Sequence, residues 1–161
     1  MKSRNFTAVY VIDPHTKERI PAKEWLEQSK DPAMAKWVVI ENKTYGFAFG
    51  LFKEELADSL NYPDSVAKVE EFILPGCRLG TRIEWVTIYN AVHTAGLNDI
   101  LEAIGGDPIE RKWYWTEEMD EDQSYATSAW FCYGTSGDLY ASTARIYSRA
   151  SRVLRALQAV L

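Results

Sequence analysis

Two histidines and two cysteines are the residues of this sequence best suited to metal ligation or nucleophilic work, and their spacing argues against both. Zinc sites draw their ligands in pairs a few residues apart, roughly two to five. Neither His15 nor His93 has a Cys or carboxylate partner at ligand spacing. His15 therefore reads as a turn residue and His93 as a helix end. Cys77 and Cys132 are 55 residues apart and lie outside any Cys-x-x-Cys. A domain of this length needs no disulfide to fold, so both read as buried thiols behaving as small hydrophobes, with a disulfide as the alternative. No Gly-x-Ser-x-Gly elbow and no P-loop occurs. The acidic run Glu117-Glu118-Met119-Asp120-Glu121-Asp122 offers oxygen ligands of the kind Ca²⁺ takes, but it reads more simply as a solvated loop. No cofactor is implied, and no catalytic group stands out.

What the sequence does offer is a surface chemistry. Of the 28 residues from 124 to 151, six are Ser, five Ala, four Tyr, three Thr and two Gly. Tyr beside Ser and Gly is the palette of antibody-type paratopes: the ring gives rigid contact area, and the small polar residues adapt. Tyr125, Tyr133, Tyr140 and Tyr147 are the candidate anchors, with Asp120, Asp122 and Ser136 as polar neighbours. Trp115 and Trp130 are expected in the core beneath them. The plain alternative is an edge hairpin whose Ser and Thr face water.

These residues need a frame. Phe6 to Ile12 alternates as a strand, and Asp13-Pro14-His15-Thr16 is turn chemistry. Pro21 to Gln28 can open a helix. Trp37 to Glu41 reads as a strand returning through Asn42-Lys43 into Thr44–Leu51, with Tyr45, Phe47 and Phe49 on one face and Gly46 and Gly50 on the other. Glu54 to Leu60 and Ser65 to Phe72 are short and mixed. Thr81-x-x-Glu84 is a capping box, and Ile83, Val86, Ile88, Tyr89 and Val92 behind it fit a helix face running to about His93. Gly96 ends that helix. Leu97 to Ile104 reads as a second, stopped by Gly105-Gly106. Trp113-Tyr114-Trp115 starts a strand, and Ser128 to Tyr133 and Asp138 to Thr143 form two more. The tail from Arg152 to Leu161 has helix-favouring composition but no decisive period.

The 161 residues fit one domain on a prior of roughly 100–200 residues per domain. The hydrophobic content of 47% and charged content of 25% are those of a folded globular chain and exclude a disordered one. The net charge of −5 argues against bulk nucleic-acid binding, which needs a basic face. No apolar run approaches the roughly 20 residues of a membrane span. Met1 to Phe6 lacks the apolar stretch of a secretory signal, so either synthesis is cytoplasmic or a leader has been trimmed.

Leu74-Pro75-Gly76-Cys77-Arg78-Leu79-Gly80-Thr81-Arg82-Ile83-Glu84-Trp85 resembles the G-W-R-L-P-T-x-x-E-W signature of bacterial domains with the formylglycine-generating-enzyme-like variant of the C-type lectin fold. Tyr114-Trp115-Thr116-Glu117 resembles the Y-W-[ST]-S-[ST]-E segment of that group, and Ala129-Trp130 its A-W strand. Arg152 to Leu157 resembles its closing R-V-R-[AC]-V strand, and Tyr45 to Leu51 its H-x-F-A-I-x-L strand. Cys77 and Gly80 depart from the usual Trp and Pro. The resemblance covers residues 45 to 157. It implies an α+β, C-type-lectin-like fold with a twisted antiparallel sheet and a central helical pair. It turns the tail into a strand, and implies that Arg152–Val160 pairs with Phe6–Ile12. An Arg78–Glu84 pair would brace the signature loop, with Trp85 in the core.

The enzymes of that group need two reactive cysteines close together, and Cys77 stands at a structural Trp position, so enzyme activity is not expected. The calcium-lectin tripeptides Glu-Pro-Asn, Gln-Pro-Asp and Trp-Asn-Asp are absent. The variable proteins of diversity-generating retroelements share the fold and carry their variable positions in the final segment, which the 124–151 stretch resembles. The expected function is a bacterial or phage-borne binding module for a protein or glycan surface ligand, with virion or surface association compatible with it. The alternative is a structural or assembly protein whose aromatic strands form a subunit interface.

Overall fold

The computed structural model describes residues 6–55, 67, 71, 77–109, 113–119, 128–133, 139–143 and 154–156. After residue 112 it gives backbone course and strand register, with one described side chain, Tyr114. The architecture is α+β. Strand β1 (Thr7–Ile12) turns into β2 (Arg19–Pro21), followed by helix α1 (Ala22–Gln28), a 3₁₀ turn at Pro32–Met34, and the hairpin β3 (Trp37–Asn42) and β4 (Phe47–Phe52). Next come β5 (Cys77–Arg78), α2 (Arg82–Thr94) and α3 (Leu97–Ala103), then β6 (Trp113–Met119), β7 (Ser128–Tyr133), β8 (Leu139–Thr143) and β9 (Leu154–Ala156). Two sheets result, one of order β2-β1-β3-β4-β9-β5 and one of order β6-β7-β8, and all the pairings are antiparallel.

The large sheet follows from alternation. Val11, Val38, Ile40, Phe49 and Leu51 are fully buried on one face against Trp85, Ile88 and Ala91 of α2 and Leu97 and Leu101 of α3. Because side chains alternate with period two, this buried set pins the register. Leu154–Ala156 of the tail is a strand, as the resemblance implies, but its neighbour is different. Leu154, Arg155 and Ala156 pair with Leu51, Gly50 and Phe49 of β4, and β5 closes on the other side of β9. Among the described residues the expected pairing with Phe6–Ile12 does not form: β3 and β4 lie between β1 and β9 in the sheet.

The turn after β3 also differs from expectation. It covers Lys43 to Gly46, and β4 begins at Phe47 rather than Thr44. Asn42 causes this. Its Oδ1 accepts from the N–H groups of Thr44 and Tyr45, both at 3.0 Å, and its carbonyl accepts from Gly46 N–H, with Gly46 in the left-handed region at φ 72°. Tyr45 is therefore a turn residue, 71% exposed, and shares no strand face with Phe47 and Phe49.

The capping box forms with both halves: Thr81 N–H donates to Glu84 Oε1 at 2.9 Å, and Glu84 N–H to Thr81 Oγ1 at 3.3 Å. The buried stripe of α2 is rotated from the one expected. Glu84, Trp85, Thr87, Ile88 and Ala91 are buried, whereas Val86, Tyr89 and Val92 are half-buried and Ile83 is exposed. The helix packs on both sheets, so a polar residue facing β3 is enclosed. Thr87 Oγ1 donates to the Ile83 carbonyl at 2.7 Å and accepts from Asn42 Nδ2 at 3.1 Å, which satisfies both buried groups. Gly96, at φ 67°, makes the left-handed break between α2 and α3.

Candidate functional site

The three-stranded sheet is seated on the core through Tyr114. Its ring is fully buried and stacks on Trp85 of α2, with centroids 4.6 Å apart and planes at 22°. Its hydroxyl donates to Glu55 Oε1 at 2.7 Å. The Tyr114 side of the sheet is thus the inner face. Register extends this assignment, since opposed residues of an antiparallel pair share a face. Tyr114 is opposite Cys132, which is opposite Leu139, and Trp130 is opposite Ala141, so these positions belong to the inner face. Trp113 is opposite Tyr133, Trp115 opposite Phe131 and Phe131 opposite Tyr140, so these five aromatic positions belong to the other face. Met119, Ala129 and Ser142 are the other positions that register assigns to that face, and Glu117, between Trp115 and Met119 at the register shift, shares their alternation.

Sequence reasoning named two members of this face, Tyr133 and Tyr140. It missed Trp113, Trp115 and Phe131, although the alternation of Trp113-Tyr114-Trp115 against Ser128–Tyr133 carries the signal once the pairing is known. Trp115 and Trp130, expected together in the core, are divided between the two faces. Tyr125, Tyr147, Asp120, Asp122 and Ser136 lie outside the described residues. The acidic run begins inside the sheet rather than in a loop, because β6 extends to Met119. A register shift lets Thr116, Glu117 and Glu118 stand opposite Trp130 alone, a bulged arrangement.

The seat continues into the large sheet. Asp107 Oδ2 accepts from Glu55 N–H at 2.9 Å, and Asp107 N–H donates to the Lys53 carbonyl at 2.8 Å. Lys53 is 7% exposed, and its Nζ donates to the carbonyls of Ala33 and Ile104, both at 2.8 Å. The second of these is at the C-terminus of α3, where a cation is favoured. Gly106 crosses so closely that a Cβ there would lie 2.5 Å from the Lys53 carbonyl oxygen. The 3₁₀ turn, the end of β4, the end of α3 and Tyr114 are therefore linked by one run of hydrogen bonds.

Elsewhere a carboxylate holds a turn. Asp13 Oδ1 accepts from His15 N–H at 2.8 Å and Thr16 N–H at 3.3 Å, and the His15 bond foremost holds its carboxyl below the usual carboxylate range. A cavity of about 210 Å³ is lined by Asp13, Ile20, Trp25, Gln28 and Ser29. Its polar side chains are engaged too, Gln28 Nε2 donating to Glu24 and Trp25 Nε1 to the Pro32 carbonyl. His15 is in the β1–β2 turn, and His93 ends α2 with its ring 4.5 Å from that of Tyr89. Cys77 is half-buried in β5, less enclosed than expected because that strand lies at the sheet edge. The Arg78–Glu84 pair falls on a side chain outside those described. Among the described residues no group of three His, Cys, Asp or Glu could hold a metal ion, and no helix is long and apolar enough to cross a membrane. No protein-family model matches the chain, and no curated protein does.

Proposed function

We propose that this chain is a C-type-lectin-like binding module that offers one face of its three-stranded sheet to a protein or glycan surface ligand, without catalysis. The observation that carries the reading is the register of β6, β7 and β8. It sets five aromatic positions on the face turned away from α2, while Tyr114 and Trp130 serve the inner side. A sheet with one side packed on a core ordinarily has polar residues on the other. An aromatic-rich face there is surface chemistry suited to recognition, since such rings bury large areas at low entropic cost.

The segments that follow β6, β7 and β8 carry Asp120, Asp122, Tyr125, Ser136 and Tyr147 in the sequence and extend the proposed site. The order of the lectin-fold motifs supports the finer fold, and the Tyr/Ser composition supports a retroelement-diversified variable protein. A reverse transcriptase gene beside a near-identical repeat of the 124–151 coding region would support that last point, and its absence would remove it.

The test is a glycan and cell-surface array probed with wild type and with Tyr133→Ala plus Tyr140→Ala. Aromatic anchors at a site centre are each worth about 1–2 kcal/mol or more, so the double variant should lose more than about tenfold in binding. Unchanged binding would put the site elsewhere. A stable dimer that dissociates in the double variant would instead make the face a subunit interface.

A further inference from the structure

We infer that the cavity between the β1–β2 turn and α1 is a binding site of its own, and that it takes a small free alkylammonium ion. It is lined by different residues from the small sheet and stands whether or not that sheet binds a ligand.

The side chains around the cavity set the chemistry. Asp13, Ile20, Trp25, Gln28 and Ser29 line it, and Asp13 is the charged member of this group. Two of the others are held by donating elsewhere: Trp25 Nε1 to the Pro32 carbonyl at 3.2 Å, and Gln28 Nε2 to Glu24 Oε1 at 3.3 Å. The second bond fixes the amide orientation, since an ionised carboxylate only accepts. Asp13 is held through one oxygen, Oδ1, by the amides of His15 and Thr16. Among the described residues, Asp13 Oδ2 and Gln28 Oε1 have no hydrogen-bond donor. Ser29 Oγ accepts from Asp31 N–H at 3.3 Å and keeps a second lone pair. Three acceptors are thus left to the cavity, one of them anionic. They complement an ammonium group, which offers three N–H donors and no acceptor. Ile20 and the buried Trp25 supply apolar wall for an alkyl stem.

Other ligand classes fail against the same residues. An anion would meet the Asp13 carboxylate. Ca²⁺ takes about six to eight oxygen ligands, and no group of three His, Cys, Asp or Glu among the described residues could hold a metal ion. The volume of about 210 Å³ is that of about seven waters at ~30 Å³ each. That is room for a stem of about five carbons with its nitrogen. The cavity holds such an ion whole, which favours a free amine over a lysine carried on a chain.

The experiment titrates isotope-labelled protein at neutral pH with pentylammonium chloride, with pentanol, with pentanoate and with a lysine-centred peptide, and follows the N–H signals by NMR. The amides of His15 and Thr16, which donate to Asp13, and those of Gln28 and Ser29 report the site. Pentylammonium should give saturable shifts at these residues with a Kd on the order of 1 mM, the strength of so small a ligand. Pentanol, with the stem but no charge, should bind about tenfold more weakly or worse, and pentanoate should not saturate. Asp13→Asn keeps an accepting oxygen for the turn and should weaken pentylammonium about tenfold. Gln28→Leu should weaken it about threefold, and the peptide should bind no more tightly than the free ion. The inference is overturned by the absence of saturable shifts below about 100 mM, by pentanol matching pentylammonium, or by an unchanged Kd in Asp13→Asn. Unsaturating shifts spread over distant carboxylates would overturn it as a general charge effect. Peptide binding without pentylammonium binding would overturn the assignment of a free ion.

Discussion

Across β1 to β4, Val11, Val38, Ile40, Phe49 and Leu51 are wholly buried on one face, while the other mixes Tyr10, Arg19 and Glu41 with Trp37, Val39 and Phe52. There the Arg19 guanidinium is 4.6 Å over the Tyr10 ring and 3.6 Å from Glu41, and Tyr10 OH donates to Glu41 at 3.4 Å. Along β6, β7 and β8 the balance differs: aromatic positions lie on both faces, five of them on the one turned from the Tyr114 side. The large sheet's outer side carries both the Arg19–Glu41 ion pair and an apolar pair, Trp37 against Phe52 with ring centroids 5.2 Å apart. The small sheet's outer side is chiefly aromatic at its register positions. Trp85 is the hinge of this comparison, since it belongs to the large sheet's core and also carries Tyr114.

Trp85→Ala should therefore have the largest effect, about 3–5 kcal/mol of unfolding free energy, as for other buried Trp truncations. Urea denaturation measures the loss, and amide exchange locates it. Protection in β6–β8 should fall further than in β3 and β4, because the small sheet loses its stacked partner while the large one keeps Ile88, Leu97 and Leu101 beneath it. Equal losses in both sheets would mean that they unfold as one unit and that the division drawn here is geometric only.

Next comes Lys53→Met. The Met side chain fills similar space but leaves the carbonyls of Ala33 and Ile104 without their charged donor. Hydrogen bonds to charged groups contribute about 1.5–3 kcal/mol, so a loss of about 2–3 kcal/mol is expected. A variant within about 0.5 kcal/mol of wild type would show that the burial of this lysine is incidental.

Thr81 and Glu84 mark how much the sequence disclosed. The capping box, the left-handed Gly96 and the alternation of Phe47 and Phe49 were legible because each rests on interactions within a few residues. Tyr45 was misassigned because Asn42 competes for the backbone through its side chain, and a residue pattern cannot show which of two local bonds wins. The partner of β9 was missed because strand order depends on which edges are already occupied, a property of the whole sheet. Lys53 was invisible for a related reason: a lone Lys after a strand is ordinarily solvated, and only the convergence of Ala33 and Ile104 makes it a clamp. At the candidate site, composition found Tyr133 and Tyr140, while the three remaining aromatic positions needed the pairing of β6 with β7. Thr81→Ala tests the legible part. It removes one half of the capping box and should cost about 1 kcal/mol, read in the same denaturation experiment, with β6–β8 exchange affected through Trp85 four residues on.

The smallest expected effect is at the far end of the large sheet. Asp13 holds the β1–β2 turn by accepting from His15 and Thr16, and Lys17 beside it adopts φ 64° while its N–H donates to the Asp13 carbonyl. The His15 bond, ahead of the weaker contributions of Thr16, His15 and Lys17 charges and bonds, depresses the Asp13 pKa in the folded chain. A depressed folded pKa means that the ionised form favours folding. Its stabilisation is complete above the unfolded value, near 3.9, and is lost as pH falls through the folded one. Asp13→Asn keeps an accepting oxygen and removes the charge, so the wild-type advantage in Tm should be small near neutrality and shrink on acidification below about pH 4. Amide exchange should place it in β1 and β2, with β6–β8 unchanged. A wild-type advantage that grows toward acid would reverse the sign argued here. A change that reaches β6–β8 would mean the two sheets are coupled more tightly than the Trp85 stack alone provides.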